Sequence, residues 1–219
     1  RRVAQETLDF VLRELGSASG GFYSSLNAES EGQEGQYYLW SLDEVQRVVG
    51  STASPVVAAA LGITQEGNFE GVNVMTRPLS EAELAERFAL PEEEVRQTLT
   101  SAVEKLRQAR AQRVPPSRDD KIIVAWNGLM ISALARGAQV LGEPRYYQAA
   151  AQSARFILKD LVKEGRLYRI RADGQTNVPA FLDDYAFLAN SLIDLFETDF
   201  DPSWLTAARG LVDQMDELF

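Results

Sequence analysis

Two adjacent aspartate pairs, Asp119-Asp120 and Asp183-Asp184, are the residues of this chain best suited to chemistry. Each pair precedes an apolar segment that reads as a helix. Neighbouring carboxyls that differ in burial hold their protons with different strength. One can then act as acid and the other as base, as glycoside hydrolysis requires. Asp183 and Asp184 lead as candidates, with Asp120 (or Asp119) as a partner from the equivalent place 64 residues earlier. Carboxylates at a helix start are also ordinary caps, and the sequence leaves both readings open.

Aromatic side chains are the second feature. Tyr23, Tyr37, Tyr38, Trp40 and Trp126 offer faces on which sugar rings stack, although aromatics in short strands and inner helices more often fill cores. Trp126-Asn127 pairs an indole with an amide, one stacking and one polar contact. Tyr185, next to Asp184, would help orient a ligand. Glu29, Glu31 and Glu34 lie in a Gly-containing loop. They would hydrogen-bond sugar hydroxyls, hold Ca²⁺, or simply be solvated; their spacing does not match an EF-hand. Lys121 beside Asp119-Asp120 reads as a salt-bridge partner. No metal or cofactor is expected.

Composition narrows the choices. The 219 residues contain neither cysteine nor histidine. A thiol nucleophile, a Cys-ligated metal, a disulfide and a Ser-His-Asp triad are therefore excluded within this chain. The net charge of −10 disfavours nucleic acid and anionic membrane surfaces as partners. The first residues do not form a signal peptide and no apolar run reaches membrane-spanning length. A cytoplasmic location is the expectation.

The elements that must position these groups are mostly helical. Residues 1–15 carry Val3, Leu8, Val11, Leu12 and Leu15 on one face. Gly16–Gly21 break the helix, and 20–25 and 36–40 read as two extended pieces able to form a hairpin. Ser41-Leu-Asp-Glu44 and Ser80-Glu-Ala-Glu83 are capping boxes. A longer helix opens at Pro91 with Glu92–Glu94, carries Val95, Leu99, Ala102, Leu106 and Ala109 along one face, and stops at Pro115-Pro116. Segments 122–141 and 181–196 are apolar nearly all round and are expected to be wrapped by other helices. Between them lie an amphipathic helix (142–162) and a hairpin turning at Asp173-Gly174. Asp201-Pro202 caps a last helix. Asn127, Tyr147, Ala150 and Leu161 recur 57 residues on as Asp184, Trp204, Ala207 and Leu218. A helical hairpin repeated at that spacing fits a closed toroid better than a solenoid of shorter repeats. Both chain ends read as the interior of helical patterns, so flanking sequence is expected.

Three stretches, GGFYSSLNAESEGQEGQYYLW, DDKIIVAWNGLMISALA and LDDYAFLANSLIDLFE, resemble the family of spermatogenesis-associated protein 20 and its bacterial relatives. That resemblance implies an N-terminal thioredoxin-like domain, here a flanking partner, followed by a six-hairpin glycosidase-like α/α-toroid. Residues 1–219 would be a central part of the toroid, with 24–116 inserted in it. The fold class is thus mainly α, helical hairpins with small β-hairpins. The implied function is binding or acid–base processing of a sugar by the full-length parent, with Asp183, Asp184 and Asp120 as the carboxylates and Tyr185, Trp126, Asn127, Tyr23 and Glu34 on the ligand. The histidines that toroid sugar enzymes use have no counterpart in this sequence. The alternative is a helical scaffold without catalysis that docks another domain or protein.

Overall fold

The computed structural model describes residues 1–219, the side chain of Asn177 excepted. Along the chain, α1 (Arg2–Phe10) runs on through a π-helical turn, Val11–Leu15, and is followed by β1 (Ser25–Leu26), β2 (Glu29–Ser30) and β3 (Gln33–Glu34). Four helices come next: α2 (Leu42–Val49), α3 (Ser54–Leu61), α4 (Glu81–Phe88) and α5 (Glu92–Arg110). Then β4 (Arg118–Asp119) and β5 (Ile122–Ile123) lead into the hairpin of α6 (Val124–Leu141) and α7 (Pro144–Asp160). Strands β6 (Val162–Lys163), β7 (Arg166–Ala172) and β8 (Gln175–Pro179) precede a second hairpin, α8 (Leu182–Asp199) and α9 (Pro202–Leu218). The fold class is mainly α with small sheets. No described helix is long and apolar enough to cross a membrane.

The chain divides into two compact units, one of residues 1–26 with 118–219 and one of residues 27–117. Each has its own core. In the first, Leu8, Ile131, Leu134, Tyr146, Ile157, Leu188 and Leu192 are among the buried side chains. In the second, Trp40, Val45, Val57, Leu84, Val95, Leu99 and Leu106 pack together.

In the first unit α6 and α8 lie side by side and run parallel. Ala125 meets Asp184, Arg136 meets Asp194, and Gln139 meets Thr198, in the same order along both helices. Gly128 makes the approach possible, since a Cβ there would stand 2.7 Å from the backbone carbonyl carbon of Phe187. Helices α7 and α9 return along the outside with Pro144 and Pro202 in their first turns, where a missing N–H costs nothing. The recurrence of Tyr147 as Trp204 has a structural counterpart: both donate to the Asp199 carboxylate.

Several local expectations hold. Both capping boxes form: Ser41 Oγ accepts from Glu44 N and the Glu44 carboxylate from Ser41 N, and Ser80 and Glu83 do the same. Strands β7 and β8 close at Asp173-Gly174, both at positive φ, the geometry of a tight type I′ connection. Two expectations fail. The extended pieces 20–25 and 36–40 do not pair. Ser25–Leu26 pairs with Arg118–Asp119 instead, and Trp40 bridges to Asn73. Just before Trp40, Arg113 Nη1 binds the carbonyls of Gln36, Tyr37 and Leu39. Nor are the two apolar helices wrapped all round. Trp126 and Leu129 are each 52% exposed and Val140 80%, and α8 leaves Phe187 and Ile193 substantially open.

Candidate functional site

In the first unit β7 runs from the Asp183-Asp184 lead-in, bound by Arg169, to Arg171, which pairs opposite Ile122 just after Asp119-Asp120. Alternate residues of a strand share a face, so β7 sets Arg169 and Arg171 on the same side. Arg169 pairs with Asp183 and Asp184, whereas Arg171 pairs with Asp160 and shares a cleft with Asp120.

Arg169 faces the start of α8. Its Nη1 lies 2.9 Å from Asp184 Oδ2 and 3.1 Å from Asp183 Oδ1, and its guanidinium covers the Phe181 ring at 4.7 Å. Asp184 has no exposed surface. Its Oδ2 also accepts from Phe181 N and its Oδ1 from Ala125 N, each at 2.9 Å. One buried carboxylate therefore caps its own helix and holds the first turn of α6. Asp183 keeps about half its side chain in solvent. Trp126 and Asp183 are the chain neighbours of Ala125 and Asp184, so both lie, exposed, where the two helices begin together.

Arg171 faces a polar cleft of about 220 Å³ lined by Ser17, Ser19, Tyr23, Asp120 and Asp173. Asp120 is paired with Arg118 at 2.6 Å, a bond that raises the arginine's proton affinity. The Arg118 guanidinium also stacks on Tyr23 at 4.0 Å. Asp119 is held below the usual carboxylate range chiefly by the Lys121 ammonium, 2.9 Å away. The Arg171 guanidinium sits 5.0 Å from the Phe156 ring and 3.5 Å from Asp160. Its buried Nη1 has no hydrogen-bond partner among the described residues.

Other expected ligand residues lie elsewhere. Asn127 is buried: its Oδ1 accepts from Phe22 N and its Nδ2 donates to the carbonyls of Phe22 and Ile123. Tyr185 is buried too, its hydroxyl accepting from Leu167 N and its ring set edge-on to Phe219. The polar atoms of both are thus engaged by backbone groups of Phe22, Ile123 and Leu167. Glu34 belongs to the second unit, exposed and opposite Glu29 in the β2–β3 ladder, with Glu31 in the turn. Among the described residues no cluster of three acidic side chains is arranged to hold a metal ion. Arg169 and Arg171 were missed by the motif reading. Their signal is the alternation Arg169-Ile-Arg171 in a predicted hairpin, which puts two cations on one face of the strand.

The chain is 38% identical to human spermatogenesis-associated protein 20 over 253 aligned positions covering 99% of it. The rat protein of that name is 36% identical over the same share. Over nearly its whole length, then, this chain is similar to spermatogenesis-associated protein 20. It spans about a third of the length of these relatives, 32% in each case. No protein-family model matches the chain. Among solved structures it is distantly similar to the unsaturated glucuronyl hydrolase of Bacillus sp. GL1. The TM-score is 0.41 at 13% identity, covering 97% of this chain and 55% of that one. Against cellobiose 2-epimerase from Bacillus thermoamylovorans the TM-score is 0.42 at 12% identity, covering 97% and 53%.

Proposed function

We propose that this chain contributes part of a carbohydrate site to its full-length parent, with acid–base chemistry supplied by the accessible acids Asp183 and Asp120. The observation that carries this reading is the division of labour at the start of α8. Asp184 has its oxygens taken up by three donors, while Asp183 shares the same arginine and still faces solvent. Trp126 supplies an exposed ring beside it, and Tyr23 and Asp120 line the cleft at the other arginine of β7. Carboxylates, arginines and exposed aromatic faces together suit a ligand with many hydroxyls and apolar C–H faces. The α/α-toroid implied by the family resemblance would bring further walls to this site. The thioredoxin-like domain it implies would flank it.

The test is turnover and binding of cellobiose and glucuronyl oligosaccharides by the full-length protein and by Asp183→Asn and Asp120→Asn variants. Loss of turnover or binding in either variant at an unchanged melting temperature supports the proposal. Unchanged behaviour in both variants, or no response of the parent to any of these sugars, overturns it.

A second reading is a non-catalytic scaffold. The apolar stripe that α6 and α8 leave open, Trp126, Leu129, Val140, Phe187 and Ile193, favours it. On that reading Leu129→Asp and Ile193→Asp abolish association with a protein partner, and Asp183→Asn changes nothing.

A further inference from the structure

Asp194 on α8 is a second buried carboxylate, with 4% of its side chain open to solvent. Burying a charge is costly, and Asp184 offsets the cost by capping backbone groups. Asp194 does not. Among the described residues its carboxylate meets no backbone N–H. Its Oδ1 accepts from Arg136 Nε at 3.2 Å and Nη2 at 2.9 Å, and its Oδ2 from Asn190 Nδ2 at 3.3 Å. Both donors stand at the surface, Arg136 with 68% of its side chain exposed. One buried charge thus holds two surface side chains in place.

Those side chains look out on the open side of α6 and α8. Trp126, Leu129 and Arg136 fall on one exposed stripe of α6, and Asp183, Phe187 and Asn190 on one exposed stripe of α8. Each stripe lies about a quarter turn from the seam where Ala125 meets Asp184 and Gln139 meets Thr198, in opposite senses on the two helices. In a parallel pair this puts both stripes on the same side, and Asp194 ties them across the seam. Trp126 and Arg136 are about 15 Å apart along α6.

The far end of this side suits hydroxyls. Arg136 is neutralised in place by Asp194, so an anion gains little there. Among the described residues Arg136 Nη1 and Asn190 Oδ1 have no hydrogen-bond partner, which leaves donors beside an acceptor. Neighbouring hydroxyls of a sugar ring give and accept at once and match such a pair. Phe187 precedes Asn190 by nearly one helical turn, and its ring is 39% exposed, a face for the C–H side of a sugar. Side chains already held in place lose less freedom when a ligand binds.

We infer that Arg136, Asn190 and Phe187 form a second sugar subsite on the α6–α8 face, and that the ligand is a neutral oligosaccharide long enough to reach from Asp183 and Trp126 to Arg136. The inference rests on the carbohydrate reading of the Asp183 end and gives that reading a substrate class. Asp194 is a positioning residue: it touches no ligand and fixes the two polar side chains that do.

The experiment is isothermal titration calorimetry of the full-length parent with cello-oligosaccharides and, separately, malto-oligosaccharides, from the disaccharide to the pentasaccharide. In one of the two series affinity should rise with length and then level off. Arg136→Met and Asn190→Ala should each take about tenfold from the affinity for the pentasaccharide and leave that for the disaccharide unchanged. Asn190→Ala gives up a single long contact, so it should keep the parent's melting temperature even if Arg136→Met does not fold. A pair that merely tied α6 to α8 would weaken all lengths alike. Affinity blind to length, or a gain with length that survives in both variants, overturns the inference; where Asp183→Asn still weakens the disaccharide, the carbohydrate reading stands without it. If no oligosaccharide binds, that reading fails and this inference with it.

Discussion

Asp184 on α8 accepts, through Oδ1, the backbone N–H of Ala125 in the first turn of α6 at 2.9 Å. A first-turn N–H has no partner within its own helix, so the bond joins the beginnings of two parallel helices through one buried charge. The same carboxylate neutralises Arg169 and caps Phe181.

Removing that carboxylate should therefore unfold rather than merely inactivate. Asp184→Ala leaves two N–H groups without their acceptor and Arg169 with only the more exposed Asp183, and is expected to cost about 3–5 kcal/mol. Asp183→Asn breaks only an exposed contact and is expected to cost less than about 1 kcal/mol. Urea denaturation of the two variants checks the contrast. Equal losses would show that Asp184 is not the joint described above.

Gly128 is the second point of leverage. A methyl group there meets the Phe187 backbone, and a main chain cannot swing aside as a side chain does. Gly128→Ala gains helix propensity but forces α6 and α8 apart, with an expected net loss of about 1–3 kcal/mol. Thermal unfolding reads it directly. A rise in melting temperature would mean that the helices separate freely.

The Asp199 cluster predicts a pH response at both ends of the scale. Burial pushes Asp199 up, but donation from Tyr147, Asp201 N and Trp204 outweighs it and leaves the carboxyl below the usual range. Its contribution to stability is complete above the ordinary aspartate value of about 3.9 and is lost as the pH falls through its lowered one. Burial, reinforced by the bond to Asp199, raises the Tyr147 hydroxyl. That contribution is complete below about 10 and is lost as the pH rises through the raised value. Melting temperatures of the parent and Asp199→Asn across pH should converge in acid. Parallel curves below pH 4 would contradict the assignment.

Much of this was readable where one residue type has one physical use. Ser-x-x-Glu twice announced a capping box, and Asp173-Gly174 announced its turn, because few alternatives satisfy those backbone groups. The 57-residue recurrence was visible because two equivalent hairpins bury equivalent small residues, Ala150-Ala151 and Ala207-Ala208. The roles of Asn127 and Tyr185 were not legible. A polar group next to an apolar run looks the same in sequence whether it faces a ligand or the backbone of Phe22 or Leu167. The exposed sides of α6 and α8 were hidden for a similar reason, since apolar composition tells how much surface seeks cover and not what covers it. Arg113 shows the limit most plainly. Its three carbonyls are over seventy residues away in sequence and bear no side-chain signature.

The ladder between β1 and β4 sets Leu26 directly opposite Arg118. Paired antiparallel residues stand about 5 Å apart, so the polypeptide departs at one rung and comes back at its neighbour. A two-residue turn could bridge that gap with no rearrangement of the ladder. The ninety-odd residues between them thus begin and end at one rung of that ladder.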